Sequence, residues 1–168
     1  MRLLRIELEN FGSHQNSSID LSGIVSATVS GKNGSGKSTA FVDGVLWALF
    51  GKCRSDADAM MTHEKQRMMV TVEFSLDGAI YRVSRMRSKT TKAGKSELVF
   101  QAMNETAHWV AVGGHKLTET QEAIKSVLGA DYDLCATSNF LIQGKADKFS
   151  TATPSERKAI MAQVLRLD

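Results

Sequence analysis

Cysteine is scarce in this chain, two in 168 residues, and Cys53 and Cys135 lie far apart. A disulfide framework or a cysteine metal knuckle needs several cysteines at close or repeated spacing, so neither is expected. Two idle thiols in a reducing cytoplasm are the expectation. Long apolar runs are also missing, and none approaches the roughly 20 residues of a membrane span. Arg5, Glu7 and Glu9 interrupt the apolar start of the chain, which excludes a secretory signal there. There is no internal repeat and no low-complexity segment. The formal charge of +3 is too small to argue for any partner, and 42% hydrophobic with 23% charged residues is ordinary for a globular domain. The length suits one domain with a sizeable core.

What is present centres on Gly31-Lys32-Asn33-Gly34-Ser35-Gly36-Lys37-Ser38-Thr39. The stretch reads G-x-x-x-x-G-K-[ST], the pattern of a phosphate-binding loop. Ile24 to Val29, rich in β-branched residues, is expected to be the strand that feeds it. Phe41, Val45, Leu46, Leu49 and Phe50 follow at helical spacing, with Gly51 as C-cap. Gly31, Gly34 and Gly36 let the backbone curl so that successive N–H groups face phosphate oxygens. The start of the helix adds partial positive charge at the same place. Lys37 is expected on the β- and γ-phosphates and the Ser38 hydroxyl on Mg2+. A nucleoside triphosphate is the expected ligand.

Taken in order, Leu4, Ile6 and Leu8 alternate with charged residues and predict a half-buried strand ending near Asn10-Phe11-Gly12. Ser13 to Ser18 reads as a polar turn, and Ile19 to Leu21 as a short strand. Asp43, one turn into the first helix, reads as structural. Lys52 to Glu64 has no period and is expected to be a loop. Met69 to Leu76, Asp77-Gly78 and Ala79 to Arg87 form a hairpin pattern, with Tyr81, Val83 and Arg85 on one face. Leu98 to Met103 and Trp109 to Val112 are two more strands. Thr118 with Gln121 predicts a capping box ahead of a helix through Ile124 that ends at Gly129. Asp131 is a candidate cap for a second short helix. The single proline, Pro154, sits between Thr153 and Glu156 as the first turn of a helix still running at Asp168.

Arg82, Arg85, Arg87, Lys89, Lys92 and Lys95 fall within fourteen residues that contain no acid. Such a local excess could meet the phosphates of a nucleic acid. It could equally be a solvated hairpin kept soluble by charge. Both readings stay open.

The order of these parts resembles a known family. Met1 to Ile6 leading into Asn10-Phe11-Gly12-Ser13-His14, then Gly31 to Thr39, then Asp43 to Gly51, is similar to the N-terminal ATPase lobe of SbcC. That is a branch of the SMC-like, coiled-coil DNA repair ATPases with an ABC-type head. Asn139 to Gly144 resembles the family's Q-loop, and Pro154 to Asp168 the stretch that leads into its coiled coil. The resemblance implies that Asn33, Gly34, Ser35, Gly36, Lys37, Ser38 and Thr39 hold ATP. It also implies that Gln143 joins Ser38 on Mg2+ and senses the γ-phosphate, Lys37 and Gln143 being the catalytic pair. Thr62 and His63 would approach the adenine. Gly12 departs from the family, which usually has an Arg there. The role of that Arg falls to Arg5, Lys32 or another basic residue.

The fold implied is an α/β lobe with a mixed sheet around the phosphate loop, an antiparallel strand layer and C-terminal helices. Residues 1–168 then form a single N-terminal lobe that ends where a coiled coil would begin. Cleaving ATP in this class needs an acidic strand end to hold Mg2+ and place water, and a signature loop over the γ-phosphate. After Lys37 no apolar run ends in Asp-Glu, the nearest candidate being Val70 to Glu73, and Ser-Gly-Gly does not occur. In the resembled family both lie in a C-terminal lobe. The partners implied are that lobe, a second head joined through ATP, an SbcD-like nuclease and double-stranded DNA, with no membrane, in the cytoplasm of a bacterium or a phage-infected cell. Two alternatives remain: a related SMC-like or recombination head without a nuclease, and an ATP-dependent assembly module without turnover.

Overall fold

The computed structural model describes residues 1–89, 94–114, 116–136 and 153. The chain divides into two compact units, Met1–Leu128 and Gly129–Asp168. The first unit contains the whole sheet.

Six strands build that sheet: β1 (Arg2–Phe11), β2 (His14–Asp20), β3 (Arg67–Leu76), β4 (Ala79–Ser88), β5 (Lys95–Met103) and β6 (Trp109–Ala111). Their spatial order is β2-β1-β3-β4-β5-β6, and every pairing among the described strands is antiparallel. The hairpin at Asp77-Gly78 forms as the sequence predicts. Both residues have positive φ, +50° and +85°, which matches the twist of the flanking strands. Leu76 pairs with Ala79 and Phe74 with Tyr81. The Tyr81 ring stacks between Phe74 and Phe100, with centroids 5.5 and 5.6 Å away, so aromatic cross-strand pairs fix the register.

One face of the sheet is apolar. Ile6, Leu8, Met68, Val70, Val72, Phe74, Val83 and Phe100 are all buried. A π-helical turn (Thr39–Gly44) running into α1 (Val45–Phe50) lies against this face. Val45, Leu46, Ala48 and Leu49 are buried, and Trp47 meets the Phe11 ring at 5.4 Å. Gly51 ends α1 in the left-handed conformation, φ +70°, as the sequence predicts. The α/β architecture and its antiparallel layer are therefore as expected, whereas the mixed sheet is not, since all the described strands pair antiparallel.

Two local expectations fail. Ile24 to Val29 is not a strand. It pairs with none of the described strands, and Val25 is 92% exposed. Its β-branched composition favours a strand only where a neighbour exists to accept the ladder. The polar turn expected at Ser13 to Ser18 is instead most of β2, because His14 to Ile19 pairs along β1 (Glu9 with Asn16, Ile6 with Ile19). At a sheet edge one side of the backbone stays wet, so polar residues cost little.

A third correction concerns α2 (Leu117–Leu128). It begins one residue before Thr118, and Gln121 takes no part in a capping box. Glu119 supplies the reciprocal arm instead, its carboxylate accepting from the Lys116 N–H at 3.4 Å. Gln121 is then free to donate from Nε2 to the Leu49 carbonyl, 2.8 Å, and to accept from Arg85 at 2.6 Å. Arg85 Nε donates to the Ala48 carbonyl at 3.0 Å. Two orphan carbonyls at the end of α1 are thereby capped by side chains from β4 and α2. Arg85 is 6% exposed, and burial pushes its guanidinium down to about 10, so it stays charged at neutral pH. Its charge sits at the helix C-terminus, where the macrodipole favours a cation.

Replacing Arg85 with Leu should destabilise the unit by about 2 kcal/mol, since it orphans the Ala48 and Gln121 oxygens while relieving a buried charge. Urea unfolding checks this. A variant as stable as the wild type would mean that the desolvation relieved equals the capping removed.

In the second unit, α3 (Tyr132–Leu134) is capped by the Asp131 carboxylate, which accepts from the Leu134 N–H at 2.9 Å. The Asp131 cap is as predicted. The helix expected from Pro154 lies outside the described residues.

Candidate phosphate-binding site

The loop from Gly31 to Thr39 closes on itself. Gly31, Gly34 and Gly36 have φ of +150°, +79° and +88°, a run that side chains with a Cβ would resist. The Ser35 N–H returns to the Lys32 carbonyl at 3.2 Å, and the Ala40 N–H to Gly36 at 2.9 Å. The chain turns helical immediately after the loop. A π-helical turn this close to a loop is a recurrent mark of a functional site.

Lys37 Nζ donates to the carbonyls of Gly31 and Lys32, 2.8 Å each, with the Ser35 hydroxyl at 3.4 Å. The ammonium is thus held across the loop by weak neutral acceptors, which a charged phosphate would replace with stronger bonds. Ser38 makes no capping hydrogen bond and is exposed, leaving its hydroxyl available to a metal. Among the described residues no group of three or more His, Cys, Asp or Glu could hold a metal ion. Asn33, Gly34 and Ser35 are exposed along the same loop. Gln143 lies outside the described residues.

Thr39 is turned inward and buried. Its Oγ1 accepts from Arg54 at 3.1 Å, and Arg54 Nε stands 2.9 Å from the Asp43 carboxylate. Asp43 is 4% exposed at its side chain. Its Oδ2 has this ionic partner but no aligned hydrogen bond. Burial pushes the Asp43 carboxyl up, and Arg54 only partly opposes that. Sequence reasoning reads Asp43 as structural and misses Arg54 altogether. An apolar-poor loop such as 52–64 carries no period from which to read it.

Arg54 also bears on Gly12. Gly12 has φ +59°, and a Cβ there would lie 2.5 Å from Thr39 Cγ2. The Gly12 N–H donates to Met60 at 2.6 Å, and its carbonyl accepts from the Thr62 hydroxyl at 2.9 Å. An Arg at this position would be strained and would collide. The basic group that stands beside the loop here is Arg54. Thr62 is thus drawn to the turn that touches the loop, while the His63 side chain is 94% exposed and faces Glu64.

The structure does not gather the six basic candidates into one surface. Arg85 leaves the set, being buried against α1. Arg82 is paired with Glu73 at 2.5 Å and lies 4.0 Å over the Trp109 ring. Arg87 is paired with Asp58 at 3.0 Å. Lys89 donates to the Asp58 carbonyl at 2.8 Å, and Lys95 pairs with Glu97 at 2.6 Å, both on the exposed surface. Lys92 lies outside the described residues. Glu73, the nearest acid to end an apolar run, alternates with the buried Val72 and Phe74 and so faces away from the loop's side of the sheet.

A glycine-turned loop, a lysine across it and a helix opening directly from it define a phosphate-loop nucleotide-binding lobe of α/β type. A family model described as an AAA domain matches residues 5–167, and the chain belongs to that family. Among relatives, a DNA double-strand break repair Rad50 ATPase of Methanocaldococcus jannaschii is 31% identical over 170 residues, 100% of this chain and 16% of the relative. The SbcC component of the nuclease SbcCD of Staphylococcus aureus is 30% identical over 175 residues, 96% of this chain and 17% of the relative. The chain is thus similar to Rad50 and SbcC ATPases, the resemblance read from its motifs, and spans about a sixth of their length. The SMC head domain from Thermotoga maritima aligns with a TM-score of 0.42 at 21% identity, covering 66% of this chain and 39% of that one. No helix among the described residues is long and apolar enough to cross a membrane.

Proposed function

We propose that residues 1–168 are the ATP-binding half of a DNA-repair ATPase head. The observation that carries this is the loop itself: Lys37 held across a run of positive-φ glycines at the start of a buried helix. ATP binds along Asn33 to Thr39, with Mg2+ on Ser38 and Gln143, and Thr62 lies on the adenine side. The C-terminal lobe of the same ATPase supplies the acid and the signature loop, and neighbours for the exposed Ile24 to Val29. ATP then joins two heads, and hydrolysis releases them and changes the access of an SbcD-like nuclease to DNA ends, in the cytoplasm of a bacterial or phage-infected cell. Titration of the chain with MgATP tests the first step. One saturable site is expected, and no saturation at millimolar nucleotide would contradict it.

DNA binding is proposed for the exposed Lys89 and Lys95, at the end of β4 and the start of β5, together with Lys92. Neutralising backbone phosphates releases counterions, so affinity should fall steeply with salt and show little sequence preference. Replacing the three lysines should shrink the salt slope by roughly 0.9 for each phosphate no longer engaged. A salt series on the assembled head compares wild type with the triple variant. Parallel lines would return the hairpin to a solvated surface.

A further inference from the structure

The turn between β1 and β2 touches the phosphate loop at two places. At the first, Gly12 abuts Thr39. At the second, His14 Nε2 lies 3.1 Å from the Gly36 carbonyl, and Nδ1 lies 2.9 Å from the Ser17 hydroxyl. A carbonyl only accepts, so Nε2 carries a proton, and in the neutral ring Nδ1 then accepts from Ser17. The fit is close. A Cβ on Gly36 would stand 2.6 Å from His14 Nε2 and closer still to Ser13 Oγ.

We propose that His14 is a positioning residue for the phosphate loop, its Nε2–H fixing the peptide between Gly36 and Lys37. In a trans peptide the carbonyl and the N–H point in opposite directions. Drawing the Gly36 carbonyl toward the β1–β2 turn therefore sends the Lys37 N–H away from that turn. The same carbonyl accepts from the Ala40 N–H at 2.9 Å, so the helix and the sheet edge hold one peptide jointly. Donation to the carbonyl also polarises the peptide and strengthens its N–H as a donor to an anion. The Gly36 carbonyl, which only accepts, selects the Nε2–H form, and the Ser17 hydroxyl on β2 holds the other ring nitrogen. No role in touching nucleotide is assigned to His14 itself. The inference rests on the loop being an ATP site, and it adds that the sheet edge presets the geometry of that site.

The test is MgATP affinity of the 168-residue chain carrying His14→Ala, His14→Gln or Lys37→Ala, each with its melting temperature. His14→Ala should weaken binding roughly tenfold, the scale of one missing orienting hydrogen bond, with melting within a few degrees of wild type. His14→Gln, whose amide can reach the same carbonyl, should recover most of the affinity, which a merely space-filling role would not require. Nitrogen NMR of the imidazole gives a readout independent of any variant: the Nε2–H tautomer is expected. Wild-type affinity in His14→Ala beside abolished affinity in Lys37→Ala would overturn the positioning role and leave the ATP site intact. Wild-type affinity in Lys37→Ala would overturn the ATP site itself. The Nδ1–H tautomer in the free chain would overturn the proposal whatever the variants do.

Discussion

Lys37→Ala is expected to abolish measurable ATP binding while leaving the fold in place. Lys37 is half-buried, and its Nζ rests on the Gly31 and Lys32 carbonyls of its own loop. Losing those bonds should cost the fold little, because the two carbonyls can turn to water. Bound phosphate is different. A charge-assisted bond contributes about 1.5–3 kcal/mol, and the ammonium is placed to make two of them. Their removal corresponds to an affinity drop on the order of a hundredfold or more. Lys37→Arg should not rescue it, since a planar fork does not fit a slot shaped for a compact ammonium. Calorimetric titration with MgATP, beside a thermal melt, checks both halves. Near wild-type affinity in the alanine variant would remove the loop from the function.

The second large effect concerns turnover. The chain alone should hydrolyse ATP negligibly, and addition of the C-terminal lobe should raise the rate by on the order of a hundredfold or more, the scale on which one positioned transition-state donor acts. The acid available in sequence, Glu73, is bound by Arg82 through both Nε at 2.9 Å and a terminal nitrogen at 2.5 Å. It also lies on the sheet face opposite the helix that follows the loop. It cannot place water on a γ-phosphate at Lys37 from there. Glu73→Gln should therefore leave the completed head's rate unchanged. Robust turnover by the isolated chain, or its disappearance in Glu73→Gln, would mean that the catalytic acid is within these residues.

Much of this lobe is legible in the sequence because its signals are local. Asp77-Gly78 demands positive φ at both positions, and Gly51 and Gly129 end helices for the same reason. The loop's glycines and Lys37 carry their chemistry at fixed spacing, so the cradle can be read without its surroundings. What escapes depends on partners distant in sequence. The segment His14 to Ser18 is polar, and only its pairing to β1 makes it a strand. Ile24 to Val29 has the composition of a strand but no described neighbour to pair with. Arg85 resembles the other five cations of its stretch, yet its alternation with Val83 on the inner face carries it under α1. A period-2 pattern assigns faces, but it does not say which cation a helix end will recruit. A local capping rule claims Gln121, which instead serves the Leu49 carbonyl, 72 residues away.

The central claim is that nucleotide binds at Gly31 to Thr39 of this chain. Amide hydrogen exchange, followed residue by residue with and without MgATP, tests it most directly. The N–H groups from Gly34 to Thr39 should exchange markedly more slowly when ATP is present, with His14 and Thr62 at the neighbouring turn protected to a smaller degree. Protection confined to other segments, or a loop whose exchange is indifferent to MgATP at saturating concentration, would contradict it.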